Sequence, residues 1–123
     1  QTIDDALEYV SSRLREAETE HLYVIPLDLR NSCIGFPIEI NRGTPFGVHA
    51  NPQEILSLVV RQNAARFVMV HNHPSGDVSP STQDVLLTKQ IVEGARWVGL
   101  DFHDHVIVSR NDSLSFRSKG WLD

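Results

Sequence analysis

Apolar residues recur along this chain with two different periods, and the switches between them lay out the expected elements. Ile3, Leu7, Val10, Leu14 and Ala17 fall on one face at helical spacing, so residues 2–18 should form an amphipathic helix capped by Thr2 and Asp5 and packed on a sheet. Leu22 to Leu29 alternates as a strand does, and Pro26, which cannot donate to a ladder, places that strand near an edge or at a bulge. Asp28 to Ser32 reads as a turn and Cys33 to Asn41 as a second strand, ended by Arg42-Gly43-Thr44-Pro45. Asn51-Pro52-Gln53-Glu54 offers an N-cap, a proline at the first helical position and a glutamate three residues after the cap, so a helix should run from there to about Ala65 on an apolar face of Ile55, Leu58 and Val59. Arg66 to His71 follows as a buried strand, Ser81 to about Trp97 as a third helix, Leu100 to Val108 as a fourth strand, and Asn111-Asp112 as a turn into a short strand near Leu114 to Phe116. No repeat, low-complexity run or linker interrupts this order. One α+β domain over residues 1–123, a mixed sheet flanked by helices, accounts for all of it.

The chemistry gathers in one place. His71-Asn72-His73 ends the apolar run Phe67 to Val70, and side chains at i and i+2 of a strand share a face, so both imidazoles can grip one ion. A loop through Pro74 and Gly76 turns the chain into Ser81-Thr82-Gln83-Asp84, which puts Asp84 in the first turn of a helix, able to bend back toward the histidines. Two histidines and one carboxylate, with a fourth position left for water, form the ligand set of a catalytic zinc rather than a structural one. Ser81 and Asp84 also fit a capping box, and the two roles do not exclude each other. Among possible general bases, Glu54 is already explained as part of the Asn51 cap, while Glu39 alternates with Ile38 and Ile40 and faces either solvent or a site. Ser75, Pro74 and Gly76 read as loop-shaping. His103 and His105 form a second His-x-His without a third ligand at helical spacing; His21 and His49 read as surface or locally hydrogen-bonded, and Cys33 as a small buried hydrophobe.

The spacing His-x-His, seven residues, Ser, two residues, Asp resembles the signature of the JAMM (MPN+, JAB) metallopeptidases, filled here by His71, His73, Ser81 and Asp84. The stretch from Val70 to Asp77, the upstream Glu39-Ile40-Asn41-Arg42-Gly43-Thr44 and the downstream Asp104 to Val108 are similar to the RadC-like JAB domain, and the resemblance runs from about His21 to the end of the chain. It implies the layered α+β architecture of JAB/MPN and cytidine-deaminase-like folds. It further implies one Zn2+ per chain on His71, His73 and Asp84, Glu39 as the catalytic glutamate and Ser81 as the oxyanion donor. His105 then takes a role beside the zinc or on the substrate side. Such an enzyme hydrolyses a peptide or isopeptide bond, often next to a ubiquitin-like C-terminus. Full RadC-like proteins often carry a helix-hairpin-helix segment upstream; none is visible here, and a start at Gln1 rather than Met is what a piece of a longer chain would show.

Composition narrows the alternatives. The chain has 123 residues, 41% hydrophobic and 22% charged, which is ordinary for a globular domain. A net charge of −5 argues against a surface built to neutralise phosphates, and Arg13 and Arg15, Arg61 and Arg66, and Arg117 and Lys119 are scattered pairs rather than a stripe. This weighs against a nuclease or DNA-repair accessory, the reading suggested by the repair label RadC-like proteins have carried. A complete ligand set weighs against a third reading, a non-catalytic MPN-type binding scaffold. The single Cys33 excludes an internal disulfide, no apolar run reaches a membrane-spanning length, and a cytoplasmic location is expected.

Overall fold

The computed structural model describes residues 2–42 and 50–122. The elements run α1 (Ile3–Leu14), β1 (His21–Leu27), β2 (Ile38–Arg42), α2 (Pro52–Arg61), β3 (Arg66–Asn72), α3 (Thr82–Val98), β4 (Asp101–Val108) and β5 (Ser113–Ser115). The strands form one five-stranded mixed sheet in the order β2-β1-β3-β4-β5. β3 and β4 are parallel, joined through α3, and every other neighbouring pair is antiparallel. Among the described residues no helix is long and apolar enough to cross a membrane.

Alternation along β3 divides the core in two. Val68 and Val70 point to one face and pack with Ala6, Val10 and Leu14 of α1, Ile25 and Leu27 of β1 and Val106 and Val108 of β4. Phe67 and Met69 point to the other face and pack with Ile55 and Val59 of α2, Ile91 and Ala95 of α3 and Leu22 and Val24 of β1. With both faces covered, β3 carries a continuous apolar run instead of a polar-apolar alternation. His71 continues the Phe67 and Met69 series and so belongs to the α2 and α3 face.

Four expectations change. The first helix stops at Leu14, not residue 18, and at its cap the Arg15 guanidinium reaches the β4–β5 turn, where its Nη1 donates to the carbonyls of Ser109 at 2.8 Å and Asp112 at 2.9 Å. β1 lies inside the sheet rather than at an edge. Pro26 is tolerated there because the β2 ladder ends at the Val24–Ile38 pair, so the missing N–H faces the side on which only the Pro26 carbonyl is used, accepting from Ile34 N at 2.9 Å. The bulge lies earlier, between Leu22 and Tyr23. The second strand begins at Ile38, not Cys33: Gly35 at φ 71° and then Pro37 break the run, leaving Cys33 with one isolated bridge to Leu27. α2 ends four residues short of Ala65, where Asn63 takes a left-handed φ of 56°. The Asn51 side chain does cap α2, accepting from Gln53 N at 2.9 Å. The expected strand end at Gly43-Thr44-Pro45 and the expected role of His49 lie outside the described residues.

Candidate metal centre

The carboxyl end of β3 and the first turn of α3 meet on the α2 and α3 face. His71 Nε2 stands 3.1 Å from His73 Nε2, the Asp84 Oδ1 is 3.3 Å from His71 Nε2, and the Asp84 Oδ2 is 3.0 Å from His73 Nε2. Donors bound at about 2.0 Å around a tetrahedral ion stand roughly 3.3 Å apart, and these contacts, with Asp84 turning one oxygen to each histidine, have that spacing. His73 Nδ1 donates to the Asp77 carbonyl at 2.8 Å, which keeps the ring hydrogen away from the cluster and leaves the Nε2 lone pair facing it. The residues present therefore fit a divalent metal.

Asp84 is held in place by the helix it opens. Ser81 Oγ accepts from Asp84 N at 3.0 Å, and Asp84 Oδ2 accepts from Ser81 N at 2.8 Å, a reciprocal capping box. The cap and the site thus share one carboxylate. Burial alone would raise the Asp84 carboxyl, but its close contacts with His71 and His73 outweigh it and hold the group well below the usual carboxylate range. Ser81 is exposed, and since its Oγ accepts from Asp84 N, its own hydrogen remains to donate outward.

A second acidic group, which sequence reasoning missed, joins the cluster. The Glu20 Oε1 lies 3.6 Å from His73 Nε2, and Glu20, His71 and His73 together present ligand atoms within 4.8 Å of one another, a candidate metal-binding group. Glu20 precedes β1, and pairing of Leu22 with His71 brings it to the end of β3. Asn72 fastens it there: its buried side chain accepts from His21 N at 2.7 Å and donates to the Thr19 carbonyl at 3.0 Å, the residues on either side of Glu20. The only signal in the sequence was an acidic residue ahead of a strand, which becomes informative once the β1–β3 register is known.

Glu39 is not brought into this cluster. It pairs across β1 with Tyr23, which pairs in turn with Val70, and this row belongs to the α1 face. Its carboxylate contacts His21 Nδ1 at 3.3 Å. Burial first, and then Glu39, raise the Tyr23 hydroxyl above its ordinary range. Behind the histidines, His105 is fully buried, stacked on Phe116 with ring centroids 4.6 Å apart. Its Nε2 lies 2.8 Å from His71 Nδ1 and its Nδ1 lies 2.6 Å from Thr88 Oγ1. Burial, with the neighbouring His71, holds the His105 imidazole well below the usual histidine range. His103 falls at the register shift between β3 and β4, and among the described residues it joins no second metal-ligand group.

A five-stranded mixed sheet flanked by three helices, with this cluster at the carboxyl end of its central strand, defines a JAB/MPN-like fold. The chain belongs to the RadC-like JAB domain family, whose model matches residues 1–121. It is 35% identical over 119 residues to a UPF0758 protein of Desulforamulus reducens, covering 97% of this chain and 52% of that protein. A UPF0758 protein of Chlorobium chlorochromatii is 36% identical over 118 residues, 96% of this chain and 53% of its own length. One from Ruegeria pomeroyi is 38% identical over 119 residues, with 97% and 53% covered. The chain thus spans about half the length of these relatives.

Proposed function

We propose that this domain is a metal-dependent hydrolase that cleaves an amide bond, peptide or isopeptide, with zinc held by His71, His73 and Asp84. The observation that carries this reading is the 3.0–3.3 Å spacing between the two Nε2 atoms and the Asp84 carboxylate oxygens, beside a cleft lined by His71 and Asp84. Bound there, the metal supplies Lewis acidity and makes water nucleophilic near neutral pH. Glu20 takes the part that the sequence suggested for Glu39. Its carboxylate sits beside the cluster, further from the histidines than Asp84 is, where it removes a proton from the attacking water and returns it to the leaving amine. Ser81, with its Oγ–H pointing outward, donates to the oxyanion that develops on the former carbonyl.

The test compares zinc content and turnover on a panel of peptide and isopeptide substrates. The parent should carry one zinc per chain and Asp84→Ala none. Glu20→Gln should keep the metal and lose about 10² to 10⁴ in rate, while Glu39→Gln keeps both. Turnover lost in Glu39→Gln and kept in Glu20→Gln would return the base to Glu39; zinc lost in Glu20→Gln would make Glu20 a fourth ligand and the site a closed, structural one. A parent without metal supports a binding scaffold instead, and hydrolysis confined to DNA supports the nuclease alternative.

A further inference from the structure

We propose that Thr88 and His105 form a one-way hydrogen-bond chain that keeps the ring hydrogen of His71 on Nδ1 and so turns the lone pair of Nε2 toward the cluster. Its purpose rests on the metal-binding reading above, but the position of that hydrogen is a property of the protein alone. The chain starts at a group that can only accept. Thr88 Oγ1 lies 2.9 Å from the Asp84 carbonyl oxygen one helical turn earlier, and its single hydrogen goes there. The same Oγ1 is 2.6 Å from His105 Nδ1, and with its hydrogen committed it must accept, which places the His105 ring hydrogen on Nδ1.

His105 Nε2 is then a lone pair. His71 Nδ1 lies 2.8 Å from it and must donate, leaving His71 Nε2 bare, 3.1 Å from His73 Nε2 and 3.3 Å from Asp84 Oδ1. Running the chain the other way would forfeit the Thr88–Asp84 bond and put a hydrogen on His71 Nε2, between the imidazole and any metal. Water cannot shuffle the directions, because Thr88 and His105 are 4% and 0% exposed. His73 reaches the same state by a different acceptor, the Asp77 carbonyl. Thr88 and His105 are therefore positioning residues. They orient a ligand and increase its basicity without touching the metal, and because the chain begins at the backbone of Asp84 it keys one ligand to another.

Long-range ¹H–¹⁵N correlation spectra of the metal-free parent read the tautomers directly. Both His71 and His105 should carry their hydrogen on Nδ1, and a hydrogen on His71 Nε2 would overturn the proposal. In zinc competition titrations against a chromophoric chelator, Thr88→Val keeps the side-chain shape and removes the acceptor. It should raise the zinc dissociation constant about 10- to 100-fold, and Thr88→Ser should restore it. Unchanged affinity in Thr88→Val also overturns the proposal. A parent that binds no zinc defeats the hydrolase reading, and the tautomer spectra then decide this one.

Discussion

Asn72 stands between the two histidines, yet its side chain turns away from them to hold the backbone on both sides of Glu20. Replacing it by alanine leaves the His21 amide and the Thr19 carbonyl without that partner in a buried place, a cost of about 1–3 kcal/mol. Asn72→Ala should keep zinc while turnover falls, as metal analysis beside a rate assay would read, since the proposed ligands stay and the proposed base, Glu20, loses its anchor. Asp28 shows a simpler local device. Its Oδ1 accepts from Arg30 N at 2.8 Å and Ser32 N at 3.0 Å, and these bonds lower its carboxyl below the usual 3.8. A depressed carboxyl stabilises the fold above its unfolded value, and that contribution is lost as pH falls through the lower folded value. Thermal melts of Asp28→Asn should therefore lack part of the parent's decline below pH 4 or so.

At the scale of elements, α3 begins at the site and its first turn supplies both cap and ligand. Ser81→Ala removes the acceptor for Asp84 N and should cost about 0.5–2 kcal/mol in denaturant unfolding, besides the loss of the proposed oxyanion donor. This cap was readable in the sequence, as was the spacing that suggests the ligands, because each belongs to a local rule: Ser-x-x-Asp at a helix start, i and i+2 on a strand. Glu20 and Glu39 were not distinguishable. Which of them reaches the histidines depends on how β1 sits between β2 and β3, and on a bulge at Leu22/Tyr23 that shifts the facing row by one residue. Pro26 misled for the same reason. Its missing donor matters only on the side where a partner strand continues, and a single strand does not say which side that is.

For the whole molecule, the sheet separates two cores, one under α1 and one under α2 and α3 that also carries the site. A cavity made under α1 should therefore weaken the fold without disturbing the ligands. Leu14→Ala, at a residue 2% exposed, should cost about 2–5 kcal/mol in urea unfolding while zinc affinity stays at the parent value. A large affinity change would mean that the sheet transmits packing from one face to the other. The order of elements and the covered sheet were legible because periodicity reports burial directly. The assignment of faces was not, because it arises from pairing between segments far apart in the chain.

The three proposed ligands lie within fourteen consecutive residues, from His71 to Asp84, whereas Glu20, just ahead of β1, and His105 of β4 lie outside that stretch. An unfolded or nascent chain that has only just extended past Asp84 already holds the whole proposed ligand set, before β1 is paired to bring Glu20 beside it and before His105 is made. Zinc can therefore associate with the denatured ensemble as well as with the native one, and only the difference between those two affinities stabilises the fold. Acquisition of the ion and acquisition of activity become separate events, with the second waiting for β1 and β4 to pair on either side of β3.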